Sequence, residues 1–232
     1  MVDGDGYLHV AFDHHGNELN YCRSTAPGAL TLGEKEQMIG KDESDVTYPE
    51  FYRMPNGDLL FAYRSGASGR GNLVLNRYEL KSRQWTRVQD ILIDGENQRN
   101  AYWQLYMDAD GRLHLSWVWR ETWGMETNHD ICYARSRDGG KTWEKSDGSK
   151  YSLPITATNA EYAWRIPQKS ELINQTGMAA MPTDILISLL TGVRVTTACR
   201  NTAWCGTTAR SGTAAACQTA LRRSRSVGEA QK

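Results

Sequence analysis

Three stretches of the chain repeat one pattern: residues 5–12 read DGYLHVAF, residues 56–63 read NGDLLFAY and residues 110–117 read DGRLHLSW. The Asp-Gly or Asn-Gly pair favours a tight turn, and the apolar residues two, four and six places after the glycine place one face of a strand in a core. The glycines of successive copies are 51 and 54 residues apart, which is the length of a four-stranded propeller blade. The repeat therefore predicts strands arranged in successive blades.

A second strand is predicted after each copy, at residues 18–23, 72–80 and 130–135. The third copy continues into residues 136–143, which read SRDGGKTW and match the Asp-box pattern Ser-x-Asp-x-Gly-x-Thr-Trp. In such a turn we expect Asp138 to accept hydrogen bonds from its own turn, the glycines to adopt positive φ, and Trp143 to pack between strands. The motif predicts a structural role for Asp138 rather than a catalytic one.

The composition of the chain changes near residue 180. The 232 residues carry no net charge, but residues 1–180 hold 20 Lys and Arg against 25 Asp and Glu, whereas residues 181–232 hold 7 against 2. Every Tyr, Phe and His lies in the first part. We predict a partial propeller over residues 1–180 and an aberrant tail over residues 181–232, which is either the product of a shifted reading frame or disordered.

Targeting and partner signals are sparse. Residues 1–4 lead directly into a repeat, without the charged and apolar regions of a secretory signal. No apolar run approaches the roughly 18 residues of a membrane span, and the balanced charge argues against nucleic acid. We expect neither a membrane nor a nucleic acid as a partner, and we expect the chain to be an internal fragment of a larger propeller.

Four further segments carry a family likeness: residues 13–16 (DHHG), 48–51 (YPEF), 63–66 (YRSG) and 172–176 (LINQT). With the Asp-box, they make the chain resemble the BNR-4 family of seven-bladed β-propellers, which includes ulvan lyases and, more distantly, rhamnosidases acting on rhamnose–glucuronate linkages. The resemblance ends at residue 180. It implies an all-β, partial β-propeller of about three to four four-stranded blades of a seven-bladed type, with an irregular C-terminal tail.

The same resemblance implies a carbohydrate-active fragment, most like a polysaccharide lyase that cleaves rhamnose- and uronate-containing glycans, such as ulvan, by β-elimination. The complete parent protein is expected to be an enzyme, and the activity of the truncated chain itself stays open. The expected partner is a polysaccharide or oligosaccharide, and the complete parent protein is expected to be a monomer that is secreted or periplasmic. No cofactor is predicted with certainty. A structural metal ion stays open, because His129 and Cys132 offer two of the four ligands that a closed zinc site needs.

Arg64 is the first candidate catalytic residue. β-Elimination needs a group that neutralises the C5 carboxylate, a base for the C5 proton and an acid for the departing oxygen. The guanidinium fork of Arg64, which follows directly on an alternating strand, binds a carboxylate bidentately. A surface arginine paired with an acid is the alternative, and the resemblance favours the catalytic role.

The resemblance also assigns roles to His14, His15 and Tyr48. His14 is predicted to neutralise the carboxylate or transfer a proton, whereas its neighbour His15 faces the other way, contacting substrate or stabilising the turn. Tyr48 matches a tyrosine that serves the family's lyases as base and acid. Because it precedes Pro49, we expect extended backbone at Tyr48, and Arg64 and His14 are expected to lower its pKa.

Aromatic residues are candidates for stacking on sugar rings. Tyr102 is predicted to contact substrate. Trp117, Trp119 and Trp123 could stack on sugar rings as well, but tryptophans on alternating strands are mostly buried and Trp117 occupies the core column of the repeat, so these three are not assigned a substrate contact. The glycine-rich residues 65–71 predict a loop that lets the glycan come close, because the strand-to-helix context of a phosphate cradle is missing.

Two other function classes stay open. A glycoside hydrolase, such as a rhamnosidase or sialidase-like enzyme, would use two carboxylates flanking the bond, and Asp13, Glu50 and Glu121 are available without any pattern that pairs them. A non-catalytic glycan-binding propeller is the third class, since a fold alone does not confer chemistry.

Overall fold

The computed structural model describes residues 1–175, 177–180, 184–190, 194–200 and 203–208. This part of the chain is all-β, as predicted, with fifteen strands and one short 3-10 turn at Met125–Thr127. The strands are β1 (His9–Ala11), β2 (His15–Asn17), β3 (Tyr21–Arg23), β4 (Val46–Arg53), β5 (Leu59–Ala67), β6 (Arg70–Glu79), β7 (Gln84–Ile93), β8 (Asn100–Met107), β9 (Leu113–Arg120), β10 (Asn128–Ser136), β11 (Glu161–Trp164), β12 (Gly177–Ala180), β13 (Asp184–Leu190), β14 (Arg194–Arg200) and β15 (Ala203–Thr208). No described helix has the length and apolar character to span a bilayer.

The strands form four antiparallel sheets. Sheet 1 is the hairpin β1–β3, sheet 2 has the order β2-β4-β5-β6-β7, sheet 3 has the order β8-β9-β10-β11, and sheet 4 has the order β12-β13-β14-β15. Sheets 3 and 4 are four-stranded meanders of the predicted blade type. The first repeat differs from the prediction, because the short strand β2 leaves its own hairpin and pairs with β4 at the edge of sheet 2.

Sheet 4 crosses the predicted boundary at residue 180. Its strand β12 pairs with β13, which begins at Asp184. The division of the chain at residue 180 stays a prediction, and residues 209–232 of the predicted tail lie outside the described residues.

The sheets pack face to face, and strand β9 of sheet 3 supplies side chains to both gaps. Leu115 and Trp117 join a cluster with Leu75 of sheet 2, and Val118, on the opposite face of β9, joins a cluster that contacts Met178 of sheet 4. All eight residues of β9 are buried. Burial on both faces removes far more apolar surface from water than a sheet with one wet face would, at about 25 cal/mol per Å².

The Asp-box forms the turn that the sequence predicted. Ser136 and Thr142 donate hydroxyl hydrogen bonds to the Asp138 carboxylate at 2.9 and 2.7 Å, and Gly140 has φ of +92°. The indole of Trp143 is buried and donates to the Gly140 carbonyl at 3.0 Å. The side chain of Asp138 is thus committed to its own turn.

A buried histidine ties the first turn to the strands of sheet 1. His9 Nδ1 lies 2.7 Å from the Tyr21 hydroxyl, and His9 Nε2 lies 3.1 Å from the Asp3 carboxylate. The Asp3 carboxylate also accepts the backbone N–H of Tyr7 at 2.9 Å. One side chain therefore links the turn, the first strand and the returning strand.

Sheet 3 repeats this triad. His114 lies 2.8 Å from the Tyr133 hydroxyl and 3.0 Å from the Asp108 carboxylate. In the second copy of the sequence pattern the corresponding positions are Leu60 and Met54, and Leu60 is fully buried. The repeat thus fills one position by either of two means, a satisfied polar triad or an apolar side chain.

The triads make the stability of the protein pH-dependent. Burial lowers the pKa of His9 and of His114, against the opposing effect of their aspartates. An unfolded histidine titrates near pH 6.5. Above about this pH the triads make their whole contribution to the unfolding free energy. Below it the unfolded chain binds more protons than the folded protein, so the unfolding free energy falls.

We expect His114→Gln to flatten this pH dependence of the unfolding free energy between about pH 5 and 6.5 in urea titrations, and exposed His15→Gln to leave it unchanged. Equal pH dependence in His114→Gln and the parent would contradict the assignment.

The Asp-box predicts a stability effect without a functional one. Asp138→Ala removes the acceptor for Ser136 and Thr142, so we expect the unfolding free energy to fall by about 1–2 kcal/mol. The matched variant Asp147→Ala, in an exposed turn closed by Ser149, should change it less. Urea denaturation measures both, and a loss of glycan binding by folded Asp138→Ala would show that the turn is functional.

Candidate functional site

One edge of sheets 2 and 3 carries charged and aromatic side chains. Arg64 lies towards the end of β5 and Arg120 is the last residue of β9. Tyr48 lies in β4 and Tyr102 in β8, the strands that pair with β5 and β9. Antiparallel pairing brings the end of one strand beside the beginning of its partner. These four residues gather there, and we call them the arginine–tyrosine cluster.

Arg64 is buried with unused hydrogen-bond donors. Its exposed fraction is 6%, and its Nε and Nη1 atoms are enclosed without a hydrogen-bond partner. Its guanidinium carbon lies 5.3 Å from the ring centre of Tyr48 and 5.9 Å from that of Tyr102. Enclosed donors of a charged group are costly to leave without partners. The alternative prediction, a surface arginine paired with an acid, does not fit the surroundings of these two nitrogen atoms.

Gly71 allows the side chain of Arg64 to take this path. A Cβ atom at position 71 would lie 2.8 Å from both Cγ and Cδ of Arg64, closer than side chains tolerate. The glycine-rich loop was predicted to let the glycan come close. At Gly71 the missing side chain instead leaves room for the Cγ and Cδ atoms of Arg64.

Tyr102 lies between two arginines and is 3% exposed. Arg120 Nη1 donates to the Tyr102 hydroxyl at 2.9 Å, the Arg120 guanidinium carbon is 4.4 Å from the ring centre, and the Ser68 hydroxyl is 3.3 Å away. Burial alone would raise the pKa of Tyr102, but the Ser68 hydrogen bond and the positive charges of Arg120 and Arg64 together lower it.

The backbone of Tyr48 contradicts the expectation of an extended conformation before Pro49. Its φ is +54°, in the left-handed region that non-glycine residues rarely occupy. The cause is a bulge in β4, where the register with β5 shifts between Thr47 and Glu50. Such a conformation costs on the order of 1–3 kcal/mol, and it persists where the surrounding structure holds it.

The pKa of Tyr48 also departs from the sequence-based expectation of a lowered value. Burial raises the pKa of Tyr48, the nearby Tyr102 raises it further, and the charges of Arg64 and Arg120 only partly oppose this. The two ring centres are 5.6 Å apart, and neighbouring titratable groups titrate as a pair. Within this pair the more acidic phenol is Tyr102.

The two predicted histidines make their contacts outside the cluster. His14 Nε2 accepts the backbone N–H of Asn20 at 2.9 Å, its Nδ1 is buried without a partner, and burial lowers its pKa. His15 is exposed in β2 and lies opposite Thr47, which lies opposite Arg64. At the usual spacing of strands the His15 and Arg64 Cα atoms are therefore about 10 Å apart.

Sequence reasoning missed Arg120, which is 6% exposed. Its Nε donates to Asn128 Oδ1 at 2.8 Å and its Nη2 donates to Asn174 Oδ1 at 2.5 Å. Asn128 also donates to the Leu172 carbonyl at 2.8 Å, so the segment before β12 holds Arg120 against Tyr102. One signal was available: Arg120, like Arg64, follows closely on an alternating strand.

A chain of charged side chains continues from the cluster along sheet 3. Arg99 Nε donates to Glu121 at 3.0 Å, and His129 Nε2 lies 2.7 Å from the same carboxylate. Hydrogen bonds to Asp130 and Glu121 outweigh burial and raise the pKa of His129. Cys132 is fully buried, which raises the pKa of its thiol. Within the described residues, no group of three or more His, Cys, Asp or Glu side chains is arranged to hold a metal ion.

The unused donors of Arg64 predict that this residue does not stabilise the fold. Arg64→Met removes a buried charge with two unpartnered donors, at the expense of its contacts with the Tyr48 and Tyr102 rings, so we expect the unfolding free energy to stay the same or to rise by about 1 kcal/mol. Arg77→Met is the matched control, because Arg77 Nε donates to Asp58 at 3.0 Å, and its loss should cost about 1–3 kcal/mol. Urea denaturation compares them, and equal destabilisation would show that Arg64 has a structural partner.

Comparison with known proteins places the chain in a family. A model described as a BNR repeat-containing family member matches residues 1–187. The chain is 29% identical over 122 residues to the short isoform of an ulvan lyase from Alteromonas sp. (strain LOR), an alignment that covers 48% of this chain and 23% of the relative. It is 30% identical over 80 residues to an ulvan lyase from Nonlabens ulvanivorans, covering 29% of this chain and 17% of the relative.

Solved structures agree on the fold. The structure of a PL25 ulvan lyase superposes with a TM-score of 0.70 at 18% identity, covering 89% of this chain and 56% of that one. The polysaccharide lyase Uly1 superposes with a TM-score of 0.69 at 16% identity, covering 90% of this chain and 58% of that one. The chain thus spans just over half of these enzymes and less than a quarter of the two curated relatives. It belongs to the BNR_4 family of BNR repeat-containing proteins, with a propeller-like fold.

Proposed function

We propose that the protein is a polysaccharide lyase that cleaves rhamnose- and uronate-containing glycans of the ulvan type by β-elimination. The observation that carries the proposal is the buried guanidinium of Arg64, whose Nε and Nη1 lack partners while two tyrosine rings flank it. The relatives named ulvan lyase support the same chemistry, as does a PL25 ulvan lyase bound to -[GlcA(1-4)Rha3S]-. A polymer substrate of this kind fits a secreted or periplasmic protein.

The proposed reaction begins with binding of the uronate carboxylate by Arg64. The positive charge of the Arg64 guanidinium attracts the carboxylate, and neutralising the carboxylate makes the adjacent C5 proton easier to remove. The C5–H electron pair then forms the C4–C5 double bond. The C4–O bond breaks, and the departing oxygen takes up a proton.

The two phenols divide the proton transfers between them. Tyr48 is the half-buried partner and Tyr102 the buried one with the lowered pKa. We assign the Tyr102 oxygen, which lies between Arg120 and Arg64, as the acceptor of the Tyr48 proton. Tyr48 then removes the C5 proton and delivers it to the departing oxygen, and the proton held by Tyr102 returns to Tyr48. Arg120 and Arg64 stabilise the negative charge throughout the cycle.

The two histidines differ in their place in the proposal. His15 is exposed and lies on the same rung of sheet 2 as Arg64, so we assign it a substrate contact on the open side of the cluster. His14 makes its contacts outside the cluster and burial lowers its pKa, which disfavours the charged imidazole, so we assign the neutralising charge to Arg64 alone.

The main rival, a glycoside hydrolase, needs a pair of carboxylates. Glu50 accepts the Tyr52 hydroxyl, and Glu121 is engaged by Arg99 and His129. Both carboxylates thus already have hydrogen-bond or ion-pair partners, whereas Nε and Nη1 of Arg64 have none. This contrast favours elimination over hydrolysis.

Incubation of the protein with ulvan separates the alternatives. Elimination produces an unsaturated uronate that absorbs in the ultraviolet, hydrolysis releases reducing ends without this absorbance, and a binding propeller retains the polymer unchanged. We expect the unsaturated product, and its loss in Arg64→Met with the fold intact. Reducing ends without absorbance would refute the proposed reaction.

The division of labour between the phenols predicts two different outcomes. Tyr48→Phe should abolish elimination while glycan binding persists, because the group that handles the C5 proton is gone. Tyr102→Phe should retain activity only at higher pH, since the acceptor with the lowered pKa is lost and Tyr48 must ionise by itself. The pH dependence of kcat measures both, with Tyr106→Phe on the same strand as control. An unchanged pH profile in Tyr102→Phe would refute its role.

A further inference from the structure

We propose that Trp123 forms a second binding position beside the arginine–tyrosine cluster, a flat surface on which the deoxy sugar next to the uronate stacks. This inference rests on the proposed function and identifies a further position of the same site. Of the three tryptophans that could stack on a sugar ring by sequence, Trp123 is the exposed one.

The exposure of Trp123 sets it apart from its neighbours. Trp117 and Trp119, on β9, are fully buried as predicted, and Trp103 is 2% exposed, whereas Trp123 is 86% exposed. Met125, two residues further, is 58% exposed. A large aromatic ring in water loses the favourable burial that such side chains usually achieve, and its flat face is free to accept a ligand.

The loop that carries Trp123 is held in shape by its own hydrogen bonds. Thr122 N donates to Thr127 Oγ1 at 3.2 Å, Gly124 N donates to Thr122 Oγ1 at 3.1 Å, and Thr127 Oγ1 donates to the Gly124 carbonyl at 2.7 Å. Lys169 N donates to the Glu126 carbonyl at 2.7 Å. The ring is therefore presented on an ordered turn, which reduces the entropy lost when a ligand stacks on it.

This loop borders the cluster directly. Arg120 Nη1, which donates to the Tyr102 hydroxyl at 2.9 Å, also lies 3.5 Å from the Trp123 carbonyl. The neighbouring loop of sheet 2 packs against it, since a Cβ at Gly69 would lie 3.0 Å from the Thr122 backbone. The Arg120 side chain thus connects the backbone of Trp123 to the Tyr102 hydroxyl.

The chemistry of the two positions is complementary. Arg64 and Arg120 select a charged group, while an indole offers an apolar face without charge. The C–H face of a pyranose ring stacks on such a surface, and a deoxy sugar such as rhamnose adds an apolar methyl group to it. An alternating rhamnose–uronate chain presents both features in adjacent units.

Binding measurements on the 232-residue chain test the inference. We expect Trp123→Ala to weaken binding of a rhamnose–glucuronate oligosaccharide about tenfold, corresponding to loss of one stacking contact, and Trp123→Phe to retain most of the affinity. Binding of glucuronate alone should be unchanged in Trp123→Ala and lost in Arg64→Met. Leu30→Ala, at an equally exposed position, is the control and should bind as the parent does.

The outcomes separate this inference from the proposed function. If Trp123→Ala binds the oligosaccharide as the parent does while Arg64→Met does not bind, the stacking position is refuted and the proposed function stands. If the parent binds neither sugar, both are refuted. A loss of glucuronate binding in Trp123→Ala would also refute the inference, because the ring would then be supporting the cluster rather than a neighbouring sugar.

Discussion

Each central sheet of this protein has two apolar faces, and neither can be left in water. Strand β9 shows the constraint most clearly, since all eight of its residues are buried, with Trp117 directed to sheet 2 and Val118 to the opposite side. The sheets must therefore stack. Stacking aligns their edges, and this alignment brings Arg64 of sheet 2 within reach of Tyr102 of sheet 3.

Part of the cost of the arrangement lies at that edge. Buried polar groups are satisfied in the His9 and His114 triads and in the Asp-box turn. In the cluster, by contrast, two donors of Arg64 are without partners and Tyr48 adopts a left-handed backbone. A preorganised site requires such a local conflict, because its groups must be unsatisfied before the ligand arrives.

Charge also explains why the two phenols differ. Tyr102 receives hydrogen bonds and positive charge from both sides, whereas Tyr48 lies against Tyr102 and shares only part of that field. Lowering the pKa of one phenol raises that of its neighbour, since a second negative charge nearby is unfavourable. The proposed proton exchange within the pair rests on this asymmetry.

The amino-acid sequence by itself determined the strands, the turns and the type of fold, because those features depend on residues close together along the chain. The repeat of residues 110–117, the Asp-box and the arginine following an alternating strand were all readable. Only the tertiary structure decided the partners of Arg120, the bulge at Tyr48 and the exposure of Trp123. These depend on how one strand pairs with another and one sheet stacks on another, and such contacts join residues that sequence periodicity does not relate.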